Sequence, residues 1–322
     1  MQNSDSRIAV VIPAYRCEKQ IRGVIETLPP FVDLIIVVED CSPDNTAAVV
    51  QALMQEDPRI HLICHEVNTG VGGAVLDGYE RAVALGADVI VKIDSDGQMD
   101  PSLMKTLIKP ILQRHADYTK GNRFLHASQL KSMPPLRRLG NTGLSFLSKI
   151  SSGCWNVFDP TNGYTAIHRV AAQLINRENI HRRYFFESSM LIELRLIRAV
   201  VRDVYMPARY GDETSSLSEF DSLFRFPPLL LKGFLRRLKI EYFIRDFTPV
   251  SLFLVAGIPM VIFGLIFGLY HWAQSIAQQV PATTGTVMVA TLPVIIGIQL
   301  ILQAFVMDIQ NTPSIPLQTL EE

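Results

Sequence analysis

The chain has 322 residues, enough for one large domain or two modest ones, and its 30 Lys and Arg nearly balance 31 Asp and Glu. No basic tract is interleaved with aromatic residues, which argues against a nucleic-acid partner. The four cysteines have neither CxxC nor Cys/His ligand spacing, so they do not predict a structural zinc site.

The first part of the chain alternates apolar strands with amphipathic helices, after polar residues 1–7 that lack the apolar core of a signal peptide. Strands are predicted where β-branched and other apolar residues run together, at residues 7–12, 34–38, 60–64 and 89–93. Helices are predicted by apolar spacing and start signals at residues 18–28, 46–54, 70–85 and 101–114. This alternation is typical of an α/β fold with a parallel sheet and crossover helices.

Polar residues and glycines follow each of these four strands. Because ligands bind beyond the carboxyl ends of the strands in such sheets, we expect a site at this edge. The residues that converge there are Pro13 and Tyr15, Glu39 and Asp40, Asn68 to Gly73, and Asp94 and Asp96.

The fourth strand ends in two carboxylates, Asp94 and Asp96, whose spacing places both on the same side of the pleat. Clustered carboxylates repel one another unless a cation lies between them. The oxygens of Asp94, Asp96 and the Gln98 amide suit Mg²⁺ or Mn²⁺, which often share their coordination shell with substrate phosphates. The alternative is a polar turn after a buried strand.

Two further features at the predicted edge allow two interpretations each. The glycines of residues 70–73 open a helix whose N–H groups could bind phosphate, or they permit a tight turn and close packing. Arg123 follows a short strand at 117–121, where its guanidinium could neutralise a diphosphate, or it is an ordinary surface arginine.

The next hundred residues carry weaker signals. Residues 128–138 are polar, contain Pro134 and Pro135, and are interpreted as a loop that could order over substrate. The remaining features are an amphipathic segment at 141–151, a polar turn at 159–164, a helix at 185–200, an edge strand at 204–206 and a charged loop at 209–216.

The C-terminal third changes character. A basic amphipathic segment at 229–246 is of the kind that lies on an anionic membrane face. Residues 247–307 contain no charged side chain, and two spans, about 250–272 and 284–306, each approach the ~20 residues that cross a bilayer. Buried core helices are the alternative. The positive-inside rule predicts that the preceding domain and the tail are cytosolic. The basic residues are Lys232, Arg236, Arg237, Lys239 and Arg245.

Several motifs in order resemble the family 2 glycosyltransferases with a GT-A fold, and more narrowly the polyprenyl-phosphate glycosyltransferases. The motifs are Val11-Ile-Pro13-Ala-Tyr15, Val38-Glu39-Asp40 with Ser42 and Asp44, Asn68-x-Gly70, Asp94-Ser-Asp96-Gly-Gln98 and Gly121-Asn-Arg123. The resemblance implies a Rossmann-like, mostly parallel sheet with helices on both faces. The expected organisation is a catalytic domain at 1–217, a juxtamembrane segment at 218–247, the hairpin at 248–307 and a cytosolic tail at 308–322.

The resemblance also implies roles for individual residues. Pro13, Tyr15 and Asp40 would hold the base and ribose, and Glu39, Asn68, Gly70 and Ser95 complete the candidate nucleotide contacts. Asp94, Asp96 and Gln98 would hold Mn²⁺ or Mg²⁺, with Asp94, Asp96, Arg123 and Arg209 as the catalytic set. The chain departs from the family pattern at Cys17, at Cys41 and in a late loop that lacks its usual lysine. Candidate acceptor-phosphate contacts are therefore Arg137, Arg138, Ser215 and Ser216, with Arg209.

The expected activity is inverting transfer of a hexose from a UDP- or GDP-linked donor to a polyprenyl phosphate at the cytosolic face of a membrane. A cation and Arg123 would stabilise the departing diphosphate, and the anionic acceptor requires no strong base. The alternatives are a processive polysaccharide synthase, although the QxxRW motif is missing, and a non-catalytic membrane adaptor. Gly257, Gly264 and Gly268 are small residues of the kind that pack membrane helices, so a homo-oligomer is a further partner that the sequence allows.

Overall fold

The structure is a computed structural model that describes residues 6–123, 135–206 and 219–320, without the side chains of residues 135–141 and 219–224. Two compact units are distinguished, one formed by residues 1–235 and 313–322 and the other by residues 236–312. The segment after the hairpin therefore belongs to the same unit as the predicted catalytic domain.

Seven strands form a single sheet within the described part of the first unit, in the order β3-β2-β1-β4-β6-β5-β7. The run from β3 to β4 is parallel, as is the β5–β7 pair, whereas β6 runs antiparallel to both of its neighbours. The mostly parallel sheet predicted from the sequence is confirmed. The strands are β1 Ile8–Ala14, β2 Leu34–Glu39, β3 Ile60–Cys64, β4 Val89–Lys92, β5 Tyr118–Asn122, β6 Thr165–His168 and β7 Val201–Tyr205.

Helices cover both faces of this sheet, as predicted. Alternate side chains of β1 point to opposite faces, so that Val10 and Ile12 join one core and Ala9 and Val11 join the other. Strands β1 and β2 are buried on both faces, which explains why their sequences are nearly continuous apolar runs. The helices are α1 Ile21–Glu26, α2 Thr46–Glu56, α3 Val71–Ala84, α4 Met104–Leu112, α5 Pro135–Ser152, α6 Arg169–Leu174 and α7 Phe186–Leu196. Helices α1, α2 and α4 pack on the first core, and α3, α6 and α7 on the second.

Two elements differ from the sequence interpretation. Helix α5 begins at Pro135, so the end of the predicted 128–138 loop is helical; proline is well suited to a first helical turn. Strand β6 follows the polar turn at 159–164 and was not predicted, because its four residues are too short to show a period.

The C-terminal tail packs on the first unit. The backbone N–H groups of Leu317 and Gln318 donate to the carboxylate of Asp117, at 2.9 and 3.3 Å. The Gln318 amide donates to the carbonyls of Ile111 and Ala116, at 3.1 and 2.8 Å. The tail is thereby joined to the segment that connects α4 to β5.

Helix α8, Glu219–Lys239, leads into a short π-helix, Ile240–Arg245, and then into two long apolar helices, α9 Pro249–Gln278 and α10 Thr284–Gln310. Both long helices have the length and composition to cross a membrane, and only 22% and 11% of their most apolar windows are buried. Such exposure does not fit the core helices of a water-soluble domain. The two helices therefore form a candidate transmembrane hairpin.

Small residues pack α9 against α10. A Cβ added at Gly257 would lie 2.9 Å from the carbonyl oxygen of Gly297, and one at Gly264 would lie 2.6 Å from that of Ala290. These glycines bring the two backbones close together within one chain. The sequence suggests these glycines as contacts of a homo-oligomer; in the structure they pack the two helices of one hairpin together.

One predicted membrane-facing arginine is buried instead. Arg237 is fully buried within the second unit, and its guanidinium donates to the Asp308 carboxylate at 2.7 and 3.0 Å and to Glu241 at 3.2 Å. The Tyr242 hydroxyl also donates to Asp308, at 2.5 Å. Arg237 therefore neutralises two acidic side chains of its own unit.

Candidate active site

The carboxyl ends of six strands share one edge of the sheet. Strands β1 to β4 are parallel, β5 points the same way because both β4 and β5 are antiparallel to β6, and β7 is parallel to β5. Residues Tyr15, Asp40, Asp94 and Arg123 follow four of these ends, so the predicted candidate residues lie at the same edge. The loop 159–164 enters this edge as well, since it precedes the antiparallel strand β6.

The end of β1 supplies an exposed aromatic ring. Pro13 and Ala14 remain paired with Val38 and Glu39 of β2, and the next residue, Tyr15, is 43% exposed. The Arg16 guanidinium lies 5.2 Å from the centre of the Tyr15 ring. An accessible ring beside a strand end is suited to stacking on a nucleotide base.

The acidic pair after β2 is committed to the loops around it. Glu39 accepts a hydrogen bond from the Ser42 N–H. Asp40, 3% exposed, accepts from His65 Nδ1 at 2.8 Å, from the Thr69 N–H and hydroxyl at 2.7 and 3.0 Å, and from the Gly70 N–H at 2.8 Å. Burial acts to raise the pKa of Asp40, but these donors outweigh it and hold the pKa below its ordinary value.

The glycine loop before α3 packs against the segment 181–183. The N–H groups of Gly72 and Gly73 donate to the Arg182 carbonyl, at 2.8 and 3.3 Å. A Cβ at Gly70 would lie 2.5 Å from the same carbonyl oxygen, and Gly70 has a φ of +86°. Of the two interpretations of this loop, the geometry favours close packing over a phosphate cradle. Asn68 donates its amide to the Asp40 carbonyl at 3.0 Å.

The Asp94–Gln98 turn follows β4. The Asp96 carboxylate accepts the Gln98 N–H at 2.9 Å, a local turn that Gly97 permits through its φ of +75°. Asp94, Ser95 and Gln98 are half-buried, whereas Asp96 is exposed. Asp96 thus presents its side chain to solvent at the edge of the sheet.

The donors at this turn fit a divalent cation. Carboxylate and amide oxygens are hard ligands, as Mg²⁺ and Mn²⁺ prefer. No group of three or more His, Cys, Asp or Glu side chains suitable for a metal occurs in the described part of the chain. Asp94, Asp96 and Gln98 together supply fewer oxygens than the octahedral shell of Mg²⁺ takes, so water or substrate phosphates would complete that shell.

A buried lysine lies behind the Asp94 carboxylate. Lys92, on β4, places its ammonium 2.7 Å from Asp94 Oδ1 and 3.7 Å from Glu187 Oε1 on α7. Burial acts to lower the pKa of Lys92, but the two carboxylates outweigh it and hold the pKa above its usual range. Sequence reasoning missed Lys92 and Glu187; the signal available was a charged residue inside an otherwise apolar strand.

Arg123 is oriented by a buried carboxylate that was also missed. Its Nε donates to Asp159 Oδ2 at 2.8 Å and its Nη2 to Oδ1 at 3.2 Å. The Asp159 side chain is 1% exposed, against 37% for Arg123. A two-point contact of this kind fixes the plane of a guanidinium and leaves its exposed side toward the edge.

The loop 159–164 connects several of these groups. The Asn162 carbonyl accepts a hydrogen bond from the ammonium of Lys120, a second buried lysine. Burial lowers the pKa of Lys120 to about 8. The Tyr164 hydroxyl donates to the Asp100 carbonyl at 3.2 Å. A Cβ at Gly163 would lie 2.6 Å from both Asp94 Oδ2 and Lys92 Nζ. The loop therefore closes directly on the Asp94 carboxylate.

Some predicted site residues lie outside the part of the chain that the structure describes. Arg209, Ser215 and Ser216 fall in residues 207–218, which the structure does not describe. Arg137 and Arg138 lie on the first turn of α5, and their side chains are likewise outside the described residues. Their roles at the acceptor phosphate stay predictions.

Residues 9–175 match the family model described as glycosyl transferase family 2. The chain is 31% identical over 247 residues to UDP-N-acetylglucosamine--dolichyl-phosphate N-acetylglucosaminyltransferase of Methanococcus voltae, a match that covers 71% of this chain and 97% of the relative. It is 28% identical over 210 residues to undecaprenyl-phosphate mannosyltransferase of Micrococcus luteus, covering 63% of this chain and 83% of the relative.

Solved structures include similar folds. Glucosyl-3-phosphoglycerate synthase of Mycobacterium tuberculosis, solved with Mn²⁺ and uridine diphosphate, superposes with a TM-score of 0.53 at 21% identity, covering 72% of this chain and 80% of that one. This likeness concerns the fold, and it agrees with the predicted GT-A arrangement of the mostly parallel sheet. The family match and the similarity to the Methanococcus enzyme together show that the chain belongs to glycosyl transferase family 2.

Proposed function

We propose that the protein transfers a sugar from a nucleotide donor to a polyprenyl phosphate at a membrane surface. The observation that carries this proposal is the presence, in one chain, of the Asp94–Asp96–Arg123 edge and of two exposed apolar helices. Relatives named as dolichyl- and undecaprenyl-phosphate sugar transferases support the lipid-phosphate acceptor.

The donor would bind along the edge of the sheet. Tyr15 offers its exposed ring to the base, and Pro13, Glu39, Asp40, Asn68, Gly70 and Ser95 are the proposed contacts of the nucleoside and its phosphates. Asp40 would act on the donor indirectly, because its carboxylate holds in place the loop that contains His65, Thr69 and Gly70. The donor of first choice is UDP-N-acetylglucosamine, which the name of the Methanococcus relative contains.

Catalysis would depend on positioning and electrostatics. Asp94, Asp96 and Gln98 would hold Mn²⁺ or Mg²⁺, which would supply positive charge to the departing diphosphate. Arg123, held by Asp159, would place its guanidinium against the same developing charge. The chain need not provide a strong general base, because a phosphate acceptor is already anionic near neutral pH.

The acceptor would approach from the membrane. Arg137, Arg138, Arg209, Ser215 and Ser216 are the proposed contacts of its phosphate, supported by the resemblance alone. Attack by that phosphate in line with the leaving diphosphate would invert the anomeric centre. Proton NMR of the isolated product would measure this outcome.

The sequence around the hairpin supports an orientation for the site. Basic residues precede α9, and residues 1–235 and 313–322, before and after the hairpin, belong to one unit. Both features support a hairpin that enters and leaves the bilayer on the cytosolic side. The polyprenyl phosphate would then be used at the cytosolic leaflet.

The proposal is tested with the full chain in detergent, Mn²⁺, a polyprenyl phosphate and radiolabelled donor. Wild type is expected to give a chloroform-soluble labelled product that chelation of the metal abolishes. Asp96→Ala should remove both the product and the metal dependence, while Glu56→Gln, an exposed change on α2, serves as the matched control. Transfer at a near-normal rate by Asp96→Ala would refute the proposed role.

A further inference from the structure

Two buried lysines occupy neighbouring parts of the sheet and differ in what they touch. Lys92 on β4 lies between two carboxylates, Asp94 at 2.7 Å and Glu187 at 3.7 Å. Lys120 on β5 donates to the backbone carbonyl of Asn162. Burying an ammonium is costly unless it is paired, so a lysine at position 92, where an apolar residue would be expected, requires an explanation.

The Asp94 carboxylate is held from two directions. The Lys92 ammonium contacts Oδ1, and the backbone of Gly163 lies so close to Oδ2 that a single added carbon would approach it to 2.6 Å. The Asp94 side chain is nonetheless 30% exposed, so part of the carboxylate still faces the edge of the sheet. These contacts leave the carboxylate little freedom to rotate.

Glu187 is the second carboxylate near the lysine, with its Oε1 3.7 Å from the ammonium. It lies in the first turn of α7, and its side chain is 18% exposed. Together with Asp94 it surrounds the ammonium with negative charge, which keeps Lys92 in place. Lys92 thus links Glu187 to Asp94, the more exposed of the two carboxylates.

We propose that Lys92 is a positioning residue for the donor site, held by Glu187 and holding the Asp94 carboxylate in the orientation that a divalent cation and a nucleotide diphosphate require. This inference rests on the proposed function for the identity of the ligands, and it assigns roles to Lys92 and Glu187, which lie outside the Asp94–Gln98 turn.

Charge and positioning predict opposite results at this site. If Lys92 acted only through its charge, its removal would strengthen cation binding, because a like charge near the cation would disappear. If it positions Asp94, its removal weakens binding, as loss of a group that orients a metal ligand typically costs about 10- to 100-fold in affinity.

The decisive variant is the double substitution Lys92→Met with Glu187→Gln. It removes one positive and one negative charge, so the net charge is unchanged and no unpaired buried charge remains from this pair. Lys120→Met removes a buried sheet lysine that contacts the loop 159–164 and not Asp94 itself, and Glu56→Gln on α2 is the exposed control. Gly163→Ala is a second variant, which crowds both the Asp94 carboxylate and the Lys92 ammonium while leaving every charge in place.

The affinity of the full chain for Mn²⁺ is measured by electron paramagnetic resonance of the free ion, without nucleotide, with UDP and with GDP. The thermal unfolding midpoint of each variant is measured in parallel. The double variant is expected to keep an unfolding midpoint near that of wild type and to lose about 10-fold or more in affinity for Mn²⁺ in the presence of nucleotide. Gly163→Ala should show the same loss, and Lys120→Met a smaller one.

Unchanged or tighter Mn²⁺ binding by a folded double variant would overturn the inference, as would a failure of wild type to bind Mn²⁺ with either nucleotide. The proposed function fails separately, when wild type binds Mn²⁺ and nucleotide but forms no lipid-linked product. In that case a loss of binding in the double variant still supports the positioning role of Lys92.

Discussion

The guanidinium of Arg123 is fixed by the buried carboxylate of Asp159, so the two side chains act as one group. Asp159→Asn keeps the shape of the side chain but removes its charge and one acceptor. A misplacement of about 1 Å in a positioning group can cost on the order of 100-fold in rate. We therefore expect Asp159→Asn to lower kcat of sugar transfer by about 10- to 100-fold with a smaller change in the KM for donor.

Arg123→Lys is the companion variant, because lysine keeps the charge but cannot make the two-point contact. A similar loss of kcat in both variants, and little further loss when they are combined, is the expected result of steady-state kinetics. Fully additive losses would contradict the view that Asp159 acts through Arg123.

His168 provides a pH-dependent contribution to stability. It caps α6 by accepting the Val170 N–H at 3.4 Å, and burial lowers its pKa from 6.5 to about 4. Because the folded state holds the imidazole neutral, this contribution is complete above pH 6.5 and is lost as the pH falls toward 4. His168→Asn retains a capping oxygen that does not titrate.

Thermal unfolding of both proteins between pH 7.5 and 5 measures this effect. We expect the midpoint of wild type to fall more on acidification than that of His168→Asn. Parallel pH profiles would show that His168 does not contribute.

Chemistry at the scale of single residues was partly predictable. The positions of Asp94, Asp96 and Arg123 at the edge of the sheet could be predicted because these residues follow strands, a local feature of the sequence. Asp159 and Glu187 could not, because each reaches the site by a contact between elements distant in sequence. Asp40 was predicted at the correct edge, but its bonds to His65, Thr69 and Gly70 depend on how two loops meet.

At the scale of elements, the C-terminal tail is part of the fold of the first unit. The Asp117 carboxylate, fully buried, accepts the N–H groups of Val200, Leu317 and Gln318. Burial raises the pKa of Asp117 above its ordinary value, and the three N–H donors offset only part of that rise. The tail thus completes the surroundings of the residue that precedes β5.

Asp117→Ala should destabilise the protein, because it leaves three backbone donors without their acceptor. Each unsatisfied buried donor costs about 1–3 kcal/mol; because the Val200 N–H is buried and those of Leu317 and Gln318 are half-buried, a total loss of about 2 kcal/mol or more is expected. Thermal unfolding and limited proteolysis of the tail measure it, with Glu56→Gln as the exposed control. An unchanged midpoint together with an uncleaved tail would contradict this role.

The order of elements was predicted where periodicity is strong. The strands 34–38, 60–64 and 89–93 agree with β2, β3 and β4 because short runs rich in β-branched and other apolar residues, bounded by turn residues, favour strands. Strand β6 escaped prediction, as did its antiparallel direction. Its insertion between β4 and β5 is what brings the loop 159–164 to the site, a consequence of topology that no local pattern carries.

At the scale of the whole molecule, the second unit contains a buried ionic cluster next to an apolar hairpin. Arg237, Glu241, Tyr242 and Asp308 bond to one another, and Arg237 and Asp308 are 0% and 6% exposed in their side chains. The cluster joins the π-helical segment and α8 to the end of α10. The charge pattern predicted a membrane-facing segment, but it could not distinguish Arg237 from its exposed neighbours.

Asp308→Leu is expected to lower the stability of the second unit by about 3–5 kcal/mol, because it leaves Arg237 buried with one fewer partner. The double variant Arg237→Leu with Asp308→Leu should recover part of this loss, since no buried guanidinium remains. A double-mutant cycle on thermal unfolding in detergent measures the coupling. Additive effects of the two substitutions would contradict the buried pair.

The central claim is that the edge of the sheet transfers a sugar to a lipid phosphate. The most direct measurement supplies the full chain and Mn²⁺ with a panel of labelled UDP- and GDP-sugars, beginning with UDP-N-acetylglucosamine, and compares a polyprenyl phosphate with the corresponding polyprenol. We predict a chloroform-soluble product from one donor with the phosphate and none with the alcohol. No product from any donor, or equal transfer to the alcohol, would contradict the account.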